Sequence, residues 1–359
     1  MKAVVRPLEG TDLEGFDRLR TLLYPDRPAS FDTDRYLSIW RWLGTHPLAD
    51  RMKRWVVATE EGEVVGHLAA QPQFYRISDQ RVVAYTPADY MVLPEYGFHA
   101  ITLMRRFFRA CENCVACDVV PAAIRVETGL GAEEAGNLQH AAKPLNVAGL
   151  PAFPASIPVP ITRLFDLGLR AVDRALMATV RSDHLRVEVL EEFDEAFDEL
   201  FESVAAAVAC VPEKDAAFLR WRYGPASPQY PATILGVREG KTLLGYAVLW
   251  VKVGGDTPRY ASNLLDLTTR PGREDVARAL LKGAIEHFVR TRTYSIRYRF
   301  LESPTSPRAK DVWRLGFLPR NERRHTLLVK FADHQLHKAA RDPANWSYTT
   351  GDGEASFFF

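Results

Sequence analysis

Short apolar runs with strand-like alternation give way to stretches of helical periodicity, in an order that occurs twice along the chain. In the first half an apparent helix closes on Leu37, Trp40, Arg41 and Trp42; in the second half another closes on Phe218, Trp221, Arg222 and Tyr223 at matching offsets. A strand, a turn and a strand follow each: Trp55 to Thr59, Glu61-Gly62 and Val64 to Ala70, then Thr233 to Val237, Glu239-Gly240 and Leu243 to Val251. Glycine between two β-rich runs predicts a hairpin in both places. Asp89 stands five residues before Pro94 and Asp266 five before Pro271, each on or entering an apolar run. Helical periodicity resumes after each proline, over Ile101 to Phe108 and over Val276 to Val289, where Val276, Leu280, Ala284 and Phe288 mark one face. A buried strand comes next, Cys114 to Val120 and Tyr294 to Phe300. Gly129-Leu130-Gly131 and Leu315-Gly316-Phe317 then lead to late strands near Leu138 to Val147 and His325 to Phe331.

The repeat predicts two α/β domains with mixed sheets, over residues 1–150 and 184–335, with a tail over 336–359. Residues 151–183 lie between them. Pro151, Pro154, Pro158 and Pro160 cannot continue a helix or a central strand and mark a linker. An amphipathic helix follows, with Leu164, Phe165, Leu169, Val172, Leu176 and Val180 on one side and Arg163, Arg170, Asp173, Arg174 and Arg181 elsewhere. Its commoner use is as a brace between domains, and its cationic flanks would also suit a membrane surface.

Charge narrows the partners. Forty-six basic against forty-five acidic side chains leave a net charge of +1, so no broad cationic face is available for nucleic acid. No apolar stretch reaches the ~18 to 20 residues of a membrane span, and the start runs into strand-like sequence without a signal-peptide core. The expectation is a cytoplasmic protein. Four cysteines make no disulfide framework. Cys111, Cys114 and Cys117 have a spacing that invites a metal, but they fall where helix passes into buried strand, and no metal is expected. No catalytic Ser/His/Asp elbow or phosphate-binding Gly-Lys loop occurs.

The element order, opening on Val4-Val5-Arg6-Pro7-Leu8 and Asp12-Leu13, resembles the GCN5-related N-acetyltransferase superfamily over the whole chain, as a tandem pair. Glu61-Gly62-Glu63-Val64-Val65-Gly66, Asp89-Tyr90-Met91-Val92-Leu93-Pro94-Glu95-Tyr96 and Leu315-Gly316-Phe317 carry the resemblance. It implies a gap between the fourth and fifth strands that admits the pantetheine arm of an acyl donor. Met91, Val92, Leu93, Gly97, Phe98, His99 and Ala100 would then be the donor-binding run, because a helix N-terminus offers unsatisfied N–H groups to phosphate. The loop Tyr96-Gly97-Phe98-His99-Ala100 lacks the family's arginine and middle glycine. Acyl carrier protein, whose pantetheine presents a single phosphodiester, therefore stands beside acyl-CoA as co-substrate. In the second copy Glu274 and Asp275 would repel phosphate, so the first domain is the expected donor site and the second an acceptor-binding or supporting one.

The implied reaction is N-acyl transfer to an amine such as an amino sugar, an amino acid, a peptide or a natural-product amine. A catalytically degenerate module binding a thioester or a protein is the alternative. Aminolysis needs a free-base amine and a fixed donor for the oxyanion. By position, Asp89 and Glu95 are the candidate bases and an amide near Val92 or Leu93 the oxyanion donor. The family's thiol-protonating tyrosine is replaced by Glu127 and Val312, leaving Tyr90 or Tyr96 to serve. Trp221, Arg222, Tyr223 and Asp266 are the candidate acceptor contacts, against a role in the core.

Overall fold

The computed structural model describes residues 2–25, 33–147, 159–182, 184–251, 261–320 and 324–353. Pro151, Pro154 and Pro158 of the expected linker, and Glu354 onward in the expected tail, lie outside them. In chain order the elements are β1 (Ala3–Pro7), α1 (Leu13–Leu23), α2 (Thr33–Leu43), β2 (Lys53–Thr59), β3 (Val64–Ile77), β4 (Gln80–Val92), α3 (Phe98–Ala110), β5 (Cys114–Asp118), α4 (Pro121–Gly129) and β6 (Glu133–Pro144). The second half runs α5 (Val159–Thr179), β7 (Val187–Leu190), α6 (Ala196–Ala205), β8 (Cys210–Pro212), α7 (Ala216–Tyr223), β9 (Thr233–Glu239), β10 (Thr242–Val251), β11 (Ala261–Thr269), α8 (Glu274–Arg290), β12 (Ser295–Phe300), α9 (Ala309–Arg314), β13 (Leu318–Pro319), β14 (His325–Lys330) and α10 (His334–Ala340). Both predicted hairpins are present, turning at Gly62 and Gly240, whose φ values of +85° and +61° glycine adopts without strain.

The chain divides into two units, one of Met1–Gly136 with Thr326–Pro343, the other of Asn137–His325 with Ala344–Asp352. In the first, the strands run β1-β2-β3-β4-β5-β14, antiparallel except for β4 with β5. In the second they run β6-β12-β11-β10-β9-β7, antiparallel except for β11 with β12. The closing strands differ from the expected boundaries at 150 and 335. β14, expected to finish the second domain, pairs with β5 in the first unit, and the second half of β6, Gln139 to Pro144, pairs with β12 in the second. Periodicity identifies a strand but not the edge it will cover, since either exposed edge satisfies the same main-chain groups.

Each unit repeats the same irregularity. Between His67 and Ala69 of β3 the partner register advances from Met91 to Ala88, so β4 carries an extra residue at Asp89–Tyr90. Between Val248 and Leu249 of β10, β11 likewise carries Leu265 as an extra residue beside Asp266. A bulge bends its strand and ends regular pairing on one side.

Packing sorts the amphipathic helices. Val276, Leu280, Ala284 and Phe288 of α8 are buried in the second unit's core, as their spacing predicts. In α5, Asp173 accepts from the buried Lys143 at 2.6 Å and Met177 packs on that core, while Leu164, Phe165 and Val172 remain exposed. No helix among the described residues is long and apolar enough to cross a membrane.

Candidate active site

β4 and β5 are parallel, yet they form a ladder only where Tyr85 lies beside Cys114. The Tyr85 N–H donates to Asn113 O at 2.9 Å and the Thr86 hydroxyl to Val115 O at 2.7 Å. Beyond that clasp the strands part around a cavity of about 380 Å³. Met91 and Val92 form one wall, Ala116, Cys117 and Asp118 the facing one, Gly97 and Ala100 the start of α3, and Ala123 and Val126 of α4 the far side. Small residues on three sides leave room for a thin ligand. Phe98, the side chain best placed to plug such a gap, is 77% exposed.

Main-chain direction decides which amide serves the cavity. Leu93 N–H donates to Val65 O at 2.9 Å, and Gly66 faces Val92 in the ladder. Successive N–H groups of a strand point to opposite sides, so Val92 turns its N–H away from β3 and toward the opening. Leu93 is buried with its amide already engaged. At the start of α3, Gly97 is the N-cap without a side-chain cap and the first turn holds no acid, which leaves main-chain donors for an anion. α8 differs, because Glu274 and Asp275 occupy its first turn. Asp275, held by Arg273, titrates at about 2.

Asp89 sits on the bulge with φ +53°, a conformation that aspartate tolerates better than most residues. Its carboxylate accepts from Arg20 at 3.1 Å and from the Tyr36 hydroxyl, and His67 Nδ1 lies 3.4 Å from Oδ2. His67 Nδ1 donates to the Asp89 main-chain oxygen at 3.0 Å, while its Nε2 receives Arg54 Nε at 3.5 Å, a pairing that fits the neutral ring. Phe16 and Trp40 pack edge-on to the imidazole at 4.5 and 5.5 Å. Burial alone would raise the Asp89 pKa, but His67, Arg20 and Tyr36 together hold it below the ordinary value. A carboxylate with those partners is a poor proton acceptor. It fixes the bulge.

The remaining expected residues distribute as follows. Glu95 is exposed on the short turn Pro94–Tyr96, and Tyr96 is buried with its ring 6.5 Å from that of His99. Glu95, Tyr96, Phe98 and His99 do not line the cavity. Burial raises Cys111 to about 12 and Cys114 well above the ordinary thiol value, so both stay protonated thiols.

Three groups stand at this cavity or behind it: Tyr90, already a candidate thiol acid, and Asp118 and Glu127, which spacing did not single out as acid or base. Asp118 lines it, accepts from Val119 and Val120 N–H at 2.6 and 2.8 Å, and is raised in pKa by burial. Tyr90 lines it too, and its hydroxyl is buried and without a hydrogen-bond partner among the described residues. Behind them Glu127 is 1% exposed, and neither of its carboxyl oxygens has a partner among the described residues. Burial, then the charge of Asp118, drives its pKa well up, so it is a neutral carboxylic acid. The only sequence signal was Glu127 standing where a tyrosine was expected.

The second unit's equivalent opening is filled by its own chain. β11 and β12 pair from Ala261–Ser295 to Leu264–Tyr298, and beyond that the segment 346–352 enters. Leu301 N–H donates to Tyr348 O at 2.9 Å, Thr349 bridges Phe300, and Trp346 is fully buried. Asp266 accepts from Tyr246 and Thr268 at 2.9 Å and from Lys214 at 3.2 Å, and Lys214 also reaches Asp352 at 3.4 Å. Arg222 Nε donates to Gly351 O at 3.3 Å. Arg222, Tyr223 and Asp266, expected to meet an acceptor, are instead buried around this segment, because an unfilled gap would strand their polar groups. Trp221 is half-buried against Phe218. Gly351 is tight: a Cβ there would lie 2.1 Å from the Tyr223 hydroxyl and 2.9 Å from Leu265 O. Gly351→Ala should therefore cost about 1–3 kcal/mol, read as a lower melting temperature of the second unit.

Parallel strands that part beside a bulge, with a helix starting at the gap, define the fold of the GCN5-related N-acetyltransferases, and the chain has that fold in tandem. It is similar to a GCN5-related N-acetyltransferase from Anabaena variabilis (14% identity, 92% of this chain and 73% of that one, TM-score 0.58). It is also similar to one from Kribbella flavida (13%, 93% and 73%, TM-score 0.58). Saccharomyces cerevisiae N-myristoyltransferase with bound myristoyl-CoA matches with 11% identity over 91% of this chain and 82% of that one, at a TM-score of 0.58. No protein-family model and no curated protein matches the sequence.

Proposed function

We propose that the protein is an N-acyltransferase whose first unit binds an acyl thioester of coenzyme A, or of a carrier protein's pantetheine, between β4 and β5 and passes the acyl group to an amine. The observation that carries this reading is the contrast between the two openings: the first is an open cavity lined in part by small residues, and the second is filled by residues 346–352 of the chain itself. The similarity to proteins described as N-acetyltransferases and to one holding myristoyl-CoA supports it. The acceptor class is an amine on an amino sugar, an amino acid, a peptide or a natural product, and the expected location is cytoplasmic.

The amine nitrogen attacks the thioester carbon, and Val92 N–H donates to the oxyanion. Asp118, whose burial raises its proton affinity, takes the ammonium proton; we assign this role to it rather than to Asp89. The C–S bond then breaks, and the sulfur takes a proton from Tyr90, with neutral Glu127 behind it as the proton reserve. Incubation with thioesters of increasing chain length, with and without amines, tests the proposal by free-thiol release. Tight thioester binding with no amine-dependent release would leave only a binding module.

Glu127→Gln separates proton supply from packing. It should keep the fold and lower kcat about a hundredfold, the low end for proton-transfer groups. The pH dependence has a definite sign. Glu127 has its pKa raised in the folded state, so wild-type stability falls as pH rises above the unfolded glutamate range near 4.5. The variant, which cannot ionise, should melt higher than wild type by a margin that grows with pH.

A further inference from the structure

A second cavity, of about 640 Å³, lies wholly within the second unit and is lined by His140, Arg320 and Arg324 together with Trp313, Leu138 and Pro319. The ladder registers explain the crowding of cations. His140 of β6 lies directly opposite Arg299 of β12, and Ala142 opposite Arg297, so the three polar side chains share one face of the sheet. On the other side of β6, β13 pairs with Ala141 and Ala142, and Arg320 N–H donates to His140 O at 2.8 Å. The His325 ring stands 6.0 Å from that of His140.

His140 is the telling residue. Both its ring nitrogens are buried, and neither has a partner among the described residues. Burial first, then the positive charges of Arg299, Arg297 and Arg320, lower its pKa to about 4. A buried polar group without a partner costs stability, and a cationic cavity with an unmet imidazole is completed by an anion. Guanidinium groups hold phosphate through paired, charge-assisted hydrogen bonds. Trp313, Leu138 and Pro319 give the same cavity an apolar wall. We infer that the second unit binds a phosphoryl group carried on an apolar or aromatic body, with Arg320, Arg324 and His140 holding the phosphoryl oxygens and Trp313 packing on the rest. Arg320 and Arg324 on the cavity wall, with Arg297 and Arg299 beside His140, favour a dianion over a single carboxylate. This site stands apart from the proposed acyl transfer and does not depend on it.

Calorimetric titration of the full chain with phenyl phosphate, inorganic phosphate and benzoate tests it. Phenyl phosphate should bind saturably, inorganic phosphate more weakly, and benzoate weakest. The double variant Arg320→Gln/Arg324→Gln should weaken phenyl phosphate at least about tenfold with an unchanged melting temperature. In proton NMR, the His140 signal, assigned by its loss in His140→Gln, should titrate at higher pH when ligand is bound, because the anion offsets the arginine charges. No saturable binding, equal binding of benzoate, or unchanged affinity in the double variant would each overturn the inference.

Discussion

Asp118→Asn should lower kcat by about 10² to 10⁴, the usual contribution of a positioned proton acceptor, while leaving donor affinity nearly unchanged. The substitution is a clean one. The carboxylate oxygen that accepts from Val119 and Val120 N–H can be replaced by the amide oxygen, so the end of β5 and the start of α4 keep their geometry. What is lost is the ability to take a proton in a partly desolvated wall of the cavity. Wild-type activity should rise with pH through the ionisation of Asp118, since the ionised form is the competent one, and the variant should lack that limb. Steady-state rates across pH, with donor affinity measured separately by thioester titration, check both statements. Equal turnover in wild type and Asp118→Asn would remove Asp118 from the chemistry and return attention to Glu95.

How much of this was legible from the chain depends on which physical signal each feature leaves. The hairpins at Gly62 and Gly240 and the α8 face of Val276, Leu280, Ala284 and Phe288 follow from turn chemistry and periodicity. The placement of Met91, Val92, Gly97 and Ala100 around the gap follows from the family resemblance that the order of elements carries. Long-range pairing left no such trace. Nothing local in His325–Lys330 says that it covers β5 rather than β12, and nothing in Trp346–Asp352 says that it enters the second unit's opening. The proposed acid–base residues were obscured for a related reason. Asp89 and Asp118 are both carboxylates on apolar strands, and only their three-dimensional partners distinguish one spent on Arg20, Tyr36 and His67 from one left on a cavity wall.

The two bulges show how one scaffold supports opposite outcomes. In both units the extra residue bends a strand away from its parallel neighbour and leaves main-chain groups to be satisfied. In the second unit the chain meets that demand itself with residues 346–352, and Lys214 compensates Asp266 and Asp352. In the first, the strands part around the cavity, and in the proposed function a thioester meets that demand. Occupation by the chain costs the second unit a donor site but leaves its core continuous. Analogy between the copies therefore points to Asp89 and Asp266, which are both engaged in buried networks.

The largest stability effect should come from Asp89→Ala. Removing one member of a buried charged network leaves the other charges uncompensated, at a cost of about 3–5 kcal/mol. Here Arg20, with its side chain 12% exposed, and the Tyr36 hydroxyl would lose their acceptor at the same time. Alanine also tolerates φ +53° poorly, which adds about 1 kcal/mol. Asp89→Asn, which accepts that backbone conformation and keeps one acceptor, should cost less. At roughly 2–4 °C per kcal/mol for a unit of this size, the alanine variant should melt about 10 °C or more below wild type. Because the network lies in the first unit, a calorimetric scan should show that unit's transition move while the second unit's stays in place. The pH dependence distinguishes a charge effect from a packing one. Asp89 has its folded-state pKa lowered, so its contribution is present above the unfolded value near 3.8 and is lost as pH falls through the folded one. The gap between wild type and Asp89→Asn should therefore be wide at neutral pH and close under acid; a gap that does not narrow would mean that shape, and not charge, holds the bulge.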